Sequence, residues 1–161
     1  ENLAGTNQIH RAVLSLLEPL EFTAFMTNLG GEVADMLRVD AVRLVLESHD
    51  AQADPTLAPL DEVLRVVVSG RIDKLIGTPE GLPARKVTLQ EARPETAFLY
   101  GDEGPFLGSE ALLKLDYGPN RLPGLLALGS EDPEQFRPNQ GTDLLTFFAS
   151  VVERAILRWI S

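Results

Sequence analysis

The chain contains no cysteine. That single absence removes disulfide frameworks, thiolate nucleophiles, zinc–thiolate sites and thioether attachment of a cofactor. Histidine is nearly as scarce, with His10 and His49 the only two. No apolar stretch approaches the ~20 residues needed to span a bilayer. The opening ENLAGTNQ has neither the basic region nor the apolar run of a signal peptide. Basic residues are outnumbered, 14 against 24 acidic, for a net charge of -10, and they form no run. Binding to a phosphate backbone depends on clustered Lys and Arg. The expectation is therefore a cytoplasmic protein with no direct nucleic-acid and no membrane partner. Glycine motifs for phosphate, G-x-x-x-x-G-K-[ST] and G-x-G-x-x-G, are missing, as is the nucleophile elbow G-x-S-x-G. Gly101, Gly104 and Gly108 punctuate GDEGPFLG, but the acidic pair between the first two would repel phosphate, so this stretch reads as turns. An initiator Met is also lacking, and residues 1–20 read as the remnant of a longer N-terminal helical segment.

What is present is an ordinary composition, 44% hydrophobic and 24% charged, in a length that suits one domain spanning 1–161. Ile9, Val13, Leu16, Leu17 and Leu20 keep helical spacing over Asn7–Leu17, and Pro19 should end that helix. A second helix is expected over Glu21–Leu37. Gly30-Gly31 falls inside its apolar stripe and implies either a kink or close backbone packing. Ala41–Glu47 alternates as a strand, with Val42, Leu44 and Leu46 on one side and Arg43, Val45 and Glu47 on the other. Ser48–Pro59 reads as a loop, Val63–Val68 as a strand, Arg71–Ile76 as a short helix and Gly77–Pro83 as a loop. Lys86–Leu89 reads as a short strand, and Glu95–Tyr100 as a short helix or irregular turn. Glu110–Asp116 and Leu125–Leu128 form a hairpin across a Gly/Pro/Asn turn, and the Gly129-Ser130-Glu131-Asp132-Pro133 cluster then breaks the chain. Pro138 suits a first helical turn. From Asp143 onward one broad face carries Leu144, Leu145, Phe148, Val151, Val152, Ala155, Ile156 and Trp159. The order implies an α+β fold: a mostly antiparallel sheet with the N- and C-terminal helices on one face and the irregular middle on the other.

The closing third carries a family resemblance. Ser109-Glu110-Ala111-Leu112-Leu113, Gly124-Leu125-Leu126-Ala127-Leu128-Gly129-Ser130, Phe136, Pro138, Gln140-Gly141-Thr142-Asp143-Leu144-Leu145 and Arg158-Trp159 resemble the bacterial domain-of-unknown-function 484 family, itself GAF-like. The resemblance implies a six-stranded or similar antiparallel sheet between a helical layer and a loop-built pocket for a small molecule. It also implies dimerisation through the terminal helices. The Asn-Lys-Phe-Asp-Glu set of cyclic-nucleotide GAF domains has no counterpart here. Bilin-binding and sulfoxide-reducing GAF proteins need cysteines that this chain lacks.

Candidate sites follow from both readings. Arg43 and Lys114 alternate onto the sheet face away from the terminal helices. Phe98, Tyr100 and Phe106 would add an aromatic wall and Ser109 a rim, making a ligand pocket of a few convergent polar groups in apolar surroundings. The alternative is a solvent-facing sheet on which Arg43 and Lys114 are incidental. His49 with Asp50 and Asp54 fits no established ligand spacing, so neither a metal nor another cofactor is expected. Phe147 and Leu157 fall outside the core arc of the last helix. With Ile9 and Val13 of the first helix they are the candidate homodimer interface. No catalytic constellation assembles. The expected function is a non-enzymatic small-molecule-sensing or regulatory module. The alternative is a protein–protein adaptor whose pocket is vestigial.

Overall fold

The computed structural model describes residues 3–49, 63–77, 85–138 and 140–160. Helix α1 is Leu3–Leu17 and ends just before Pro19, whose ring and missing N–H oppose another helical turn. Helix α2 begins as Phe22–Asn28, passes through a π-helical turn at Leu29–Val33, and closes with Ala34–Leu37. Strand β1 is Ala41–Ser48 and β2 is Leu64–Val68. Helix α3, Arg71–Ile76, matches the residues read from the sequence. After β3, Val87–Glu91, a helical turn at Pro94–Ala97 (α4) runs into a 3-10 segment at Phe98–Phe106. Strands β4, Ser109–Leu115, and β5, Gly124–Ser130, precede helix α5, Asp143–Ile160.

Among the described residues the sheet has five strands in the order β2-β1-β5-β4-β3. Three of its four pairings are antiparallel, and the edge pair β1–β2 is parallel, with Leu44 opposite Leu64. A parallel pair needs a crossover of a dozen or more residues, and the chain from Ser48 to Leu64 is long enough to provide one. The described sheet is thus mostly antiparallel, as read from the sequence, with one parallel pair at its edge.

Two expectations are corrected. The break read over Gly129-Ser130-Glu131-Asp132-Pro133 begins only after Gly129 and Ser130. Both residues stay in β5, paired with Ala41 of β1 and with Glu110 and Ser109 of β4. Gly129 is needed there because an added Cβ would come within 3.1 Å of the Tyr100 ring and 2.6 Å of Leu107. Pro138 does not open the last helix, which starts at Asp143. A turn comes first, in which the Gln140 N–H donates to the Arg137 carbonyl at 3.0 Å. The loops read at 48–59 and 77–83 lie mostly outside the described residues, as do Asp50 and Asp54.

Alternation along the strands places a core on each face. On one, Val42, Leu44, Ala111, Leu113, Leu126 and Leu128 pack under Ile9, Leu16, Phe25, Leu29, Phe148 and Val152 of the three long helices. Trp159 closes this layer, its ring centroid 5.1 Å from Phe25 and 5.7 Å from Phe22. Ser15, buried on α1, ties α1 to α2: Asn28 donates to its carbonyl at 2.8 Å. On the opposite face, Val45, Leu112, Leu125 and Ala127 meet Ile72, Leu75 and Ile76 of α3 and Leu99, Tyr100 and Leu107 beyond α4. This second core is the decisive fact for function, because the face expected to hold a pocket is filled.

Helices α1 and α5 lie side by side and run parallel. Gly5, Gln8 and Ile9 adjoin Leu144 and Leu145 at one end, and at the other Arg158 donates to the Pro19 carbonyl at 3.2 Å.

Candidate functional site

The predicted pocket residues separate into different roles. Lys114 pairs with Asp73 of α3 at 2.8 Å. Ser109 is fully buried, donating to the Asp132 carbonyl at 2.6 Å and accepting from the Phe136 N–H at 3.3 Å, so it anchors the turn after β5 and forms no rim. Phe98 and Phe106 point outward and are largely exposed. Phe98 is stacked by the Arg71 guanidinium, 5.5 Å from its ring centroid. These four do not converge. The apolar side chains of α3 and of residues 99–107 occupy the space they were expected to enclose.

Arg43 and Tyr100 do come together, at the edge of that core. Arg43 is only 8% exposed. Its Nε donates to the Leu99 carbonyl at 3.0 Å, Nη2 to the Tyr100 carbonyl at 3.0 Å and Nη1 to the Val42 carbonyl at 2.9 Å. Glu103 stands 3.9 Å from Nη2. A guanidinium engaged by three carbonyls is a clamp that fastens the 98–106 segment to β1. The carbonyls can face it because Gly101 takes φ 60°, ψ -130°, a region essentially closed to side-chain-bearing residues.

The far end of Tyr100 is held as firmly. Its hydroxyl donates to Glu110 Oε1 at 2.8 Å, while Thr96 and Gln90 donate to Oε2 at 2.7 and 2.8 Å. Glu110 is 0% exposed. Burial, and then the adjacent Glu110, push the Tyr100 phenol well above its ordinary value. Nearby, Glu47 of β1 accepts from the Ile72 N–H at 2.8 Å and satisfies a first-turn donor of α3, a service that Gly70, lacking a side chain, cannot perform.

Beside the clamp lies a cleft of about 750 Å³. Its walls are Met26, Thr27, Gly30 and Gly31 of α2, Asp40 to Arg43 at the start of β1, Val63 and Arg65 at β2, and Tyr100 to Glu103. The π-helical turn forms one wall, and such turns are frequent at functional sites. Gly30 is required by close approach, since a Cβ there would lie 2.5 Å from Val63 Cγ2. Among the described residues, a Cβ on Gly31 would meet nothing within 4 Å. The lining carries two cations, Arg43 and Arg65, and three acids, Asp40, Asp102 and Glu103.

Arg65, Asp102 and Glu103 escaped the sequence reading. Arg65 is the lone charge in LRVVV, and a charge inside a β-branched run on an edge strand was the signal that marked it. Asp102 and Glu103 had been assigned to turns, and their part in a wall depends on the tertiary position of the 3-10 segment.

A second hollow, of about 460 Å³, lies on the helical side between α1, the 135–141 turn and the start of α5. Gln8, Ile9, Leu128, Phe136, Gln140 and Leu144 contribute to it, and no charged residue among the described residues lines it. Ile9, 6% exposed, belongs to the core here, which removes it from the candidate interface surface. Val13 and Leu157 also pack against the core and are half-buried. Phe147 stays 50% exposed. His49 is exposed, and no group of three metal-ligating side chains occurs among the described residues.

An open sheet under a layer of terminal helices, its other face closed by short helices around an edge cleft, defines an α+β module and is consistent with a GAF-like fold. Within that class the chain belongs to the family described as protein of unknown function DUF484, whose model matches residues 1–161. No curated protein matches the chain. No helix among the described residues is long and apolar enough to cross a membrane.

Proposed function

We propose that this chain is a non-enzymatic small-molecule-sensing or regulatory module that takes its ligand in the cleft between the α2 π-turn and the Arg43 clamp. The observation that carries this reading is the cleft itself. Its size falls in the range of small-molecule sites, and fixed charges converge on it from three elements. Ligand held there touches both α2, in the helical layer, and the 98–106 segment on the opposite face, so occupancy bears on how the two layers sit together. A ligand acts as a signal only through different affinity for two arrangements, and this cleft spans the elements that would differ.

Gly31 supplies the test. A leucine at this position projects into open space and replaces a helical glycine with a better helix former, worth up to ~1 kcal/mol. Gly31→Leu should keep or raise the melting temperature. Wild-type protein should gain about 2.7 kcal/mol from a ligand at 100 times its Kd, and the variant none. A ligand that stabilises both proteins equally sinks the cleft assignment.

The outer surface of the helical layer supports homodimerisation as part of this function. Leu14, Leu17 and Leu20 at α1 and Phe147 on α5 are all at least half exposed, on two parallel helices whose other faces cover the sheet. A second copy presents the same apolar surface, and a two-fold axis makes such a surface self-complementary. Leu14→Glu with Phe147→Glu should convert a dimer to a monomer in sedimentation equilibrium while the folded circular dichroism spectrum persists. A wild-type chain that sediments as a monomer at high concentration removes this element of the proposal.

A further inference from the structure

Among the described residues, two opposite charges in the cleft pair neither with each other nor with another charged group. Arg65 projects from β2, where its Nη1 donates to the Leu64 carbonyl of its own strand at 3.0 Å. Its Nη2 lies 3.8 Å from where a Cβ on Gly101 would stand, so the guanidinium faces the wall that Asp102 continues. Among the described residues no carboxylate pairs with Arg65 and no cation pairs with Asp102. Their neighbours are committed elsewhere. Arg43 is spent on the Val42, Leu99 and Tyr100 carbonyls, and Asp40 accepts from the Glu131 N–H at 2.7 Å.

Taking the cleft as the ligand site, as read above, we propose that its ligand is a small zwitterion, an amino acid in chemical class, with its carboxylate on Arg65 and its ammonium facing Asp102. The charges discriminate among the alternatives. A guanidinium binds a planar carboxylate through two parallel N–H donors. A phosphorylated or polycarboxylate ligand would place two or more negative charges beside Asp40, Asp102 and Glu103 in a chain of net charge -10. A sugar or other neutral ligand would cover Arg65 and Asp102 and leave both desolvated without a counter-charge. A simple amine satisfies Asp102 and strands Arg65, and a simple carboxylate does the reverse. One molecule carrying both groups satisfies both residues.

Isothermal titration of the full chain tests this with a panel of L-amino acids, the matching monocarboxylates and amines, and citrate, ATP and glucose. At least one amino acid should bind, and its monocarboxylate and amine counterparts should bind tenfold or more weakly, about what one charge-assisted contact is worth. Arg65→Gln and Asp102→Asn should each weaken the amino acid at least tenfold with the melting temperature retained, and Arg65→Lys should recover part of the loss. Gly31→Leu separates this proposal from the reading it rests on. Citrate, ATP or glucose binding that Gly31→Leu abolishes overturns the zwitterion and leaves the cleft. Amino-acid binding that Gly31→Leu leaves intact overturns both. Unchanged affinity in Arg65→Gln, or no binding by any amino acid, overturns the zwitterion.

Discussion

Replacing Glu110 by alanine should cost the fold about 3–5 kcal/mol, seen as a lowered midpoint in urea unfolding with the slope unchanged. The buried carboxylate accepts from the Tyr100 hydroxyl, Thr96 and Gln90, and those donors arise from three different elements. Alanine removes the common acceptor and leaves the donors facing an apolar cavity where water is excluded, so the cost is that of stranding donors as well as of losing bonds. The size of the effect depends on geometry in a way that a second variant exposes. Glutamine at 110 keeps one carbonyl oxygen for Thr96 and Gln90, and its amide can donate to a Tyr100 hydroxyl rotated to accept. Glu110→Gln should therefore lose only about 1 kcal/mol. Equal losses from alanine and glutamine would mean that the carboxylate's charge, and not its hydrogen-bond geometry, holds the segment.

The helical layer and most of the sheet were legible in the sequence because long periodic segments report their own burial. Helix α5 announces its core face through Phe148, Val152, Ala155 and Ile156, all 5% exposed or less. The opposite face was legible only in part. Alternation along β1 correctly put Arg43 and Glu47 there with Val45. It could not reveal what covers that face, because α3 and residues 98–107 are too short for a 3.6-residue period to be distinguished from chance. Ile72, Leu75, Leu99 and Leu107 then fill the expected pocket, and the cleft moves to the edge where the sheet meets α2. Glu110 was read as the first residue of an apolar strand, where a charge ordinarily marks exposure. It is buried because three donors from distant segments arrive on it, and no local pattern records that convergence.

The residues that carry the family resemblance belong largely to the helical side. Phe136, Gln140, Gly141, Leu144 and Leu145 surround the uncharged hollow at the start of α5. Gly129 and Ser109 fix the Tyr100 ring and the turn after β5. These positions build the frame. The charged wall of the cleft is drawn from Asp40, Arg65, Asp102 and Glu103, all outside those stretches. A fold's frame and its sites are set by different residues, so the strongest sequence signal said least about the cleft.

Arg43→Met should cost a comparable 3–5 kcal/mol, since a side chain of similar length replaces the guanidinium but strands the Leu99 and Tyr100 carbonyls that it caps. The more informative measurement joins it to Glu110. The two residues grip one element from opposite ends: Arg43 holds the backbone of Tyr100 and Glu110 its hydroxyl. Once either grip is lost and the 98–106 segment lifts, the other has little left to hold. The double variant Arg43→Met, Glu110→Ala should then fall short of the summed single losses by 0.5–3 kcal/mol, about the range for residues in one network. Hydrogen exchange should show the same opening in each single variant, confined first to residues 98–106. Strict additivity would mean that the clamp and the buried carboxylate stabilise separate parts of the molecule. Coupling would make Tyr100 the hinge between the second core and the cleft, so that whatever binds beside Arg43 is felt at Glu110 on the far side of the ring.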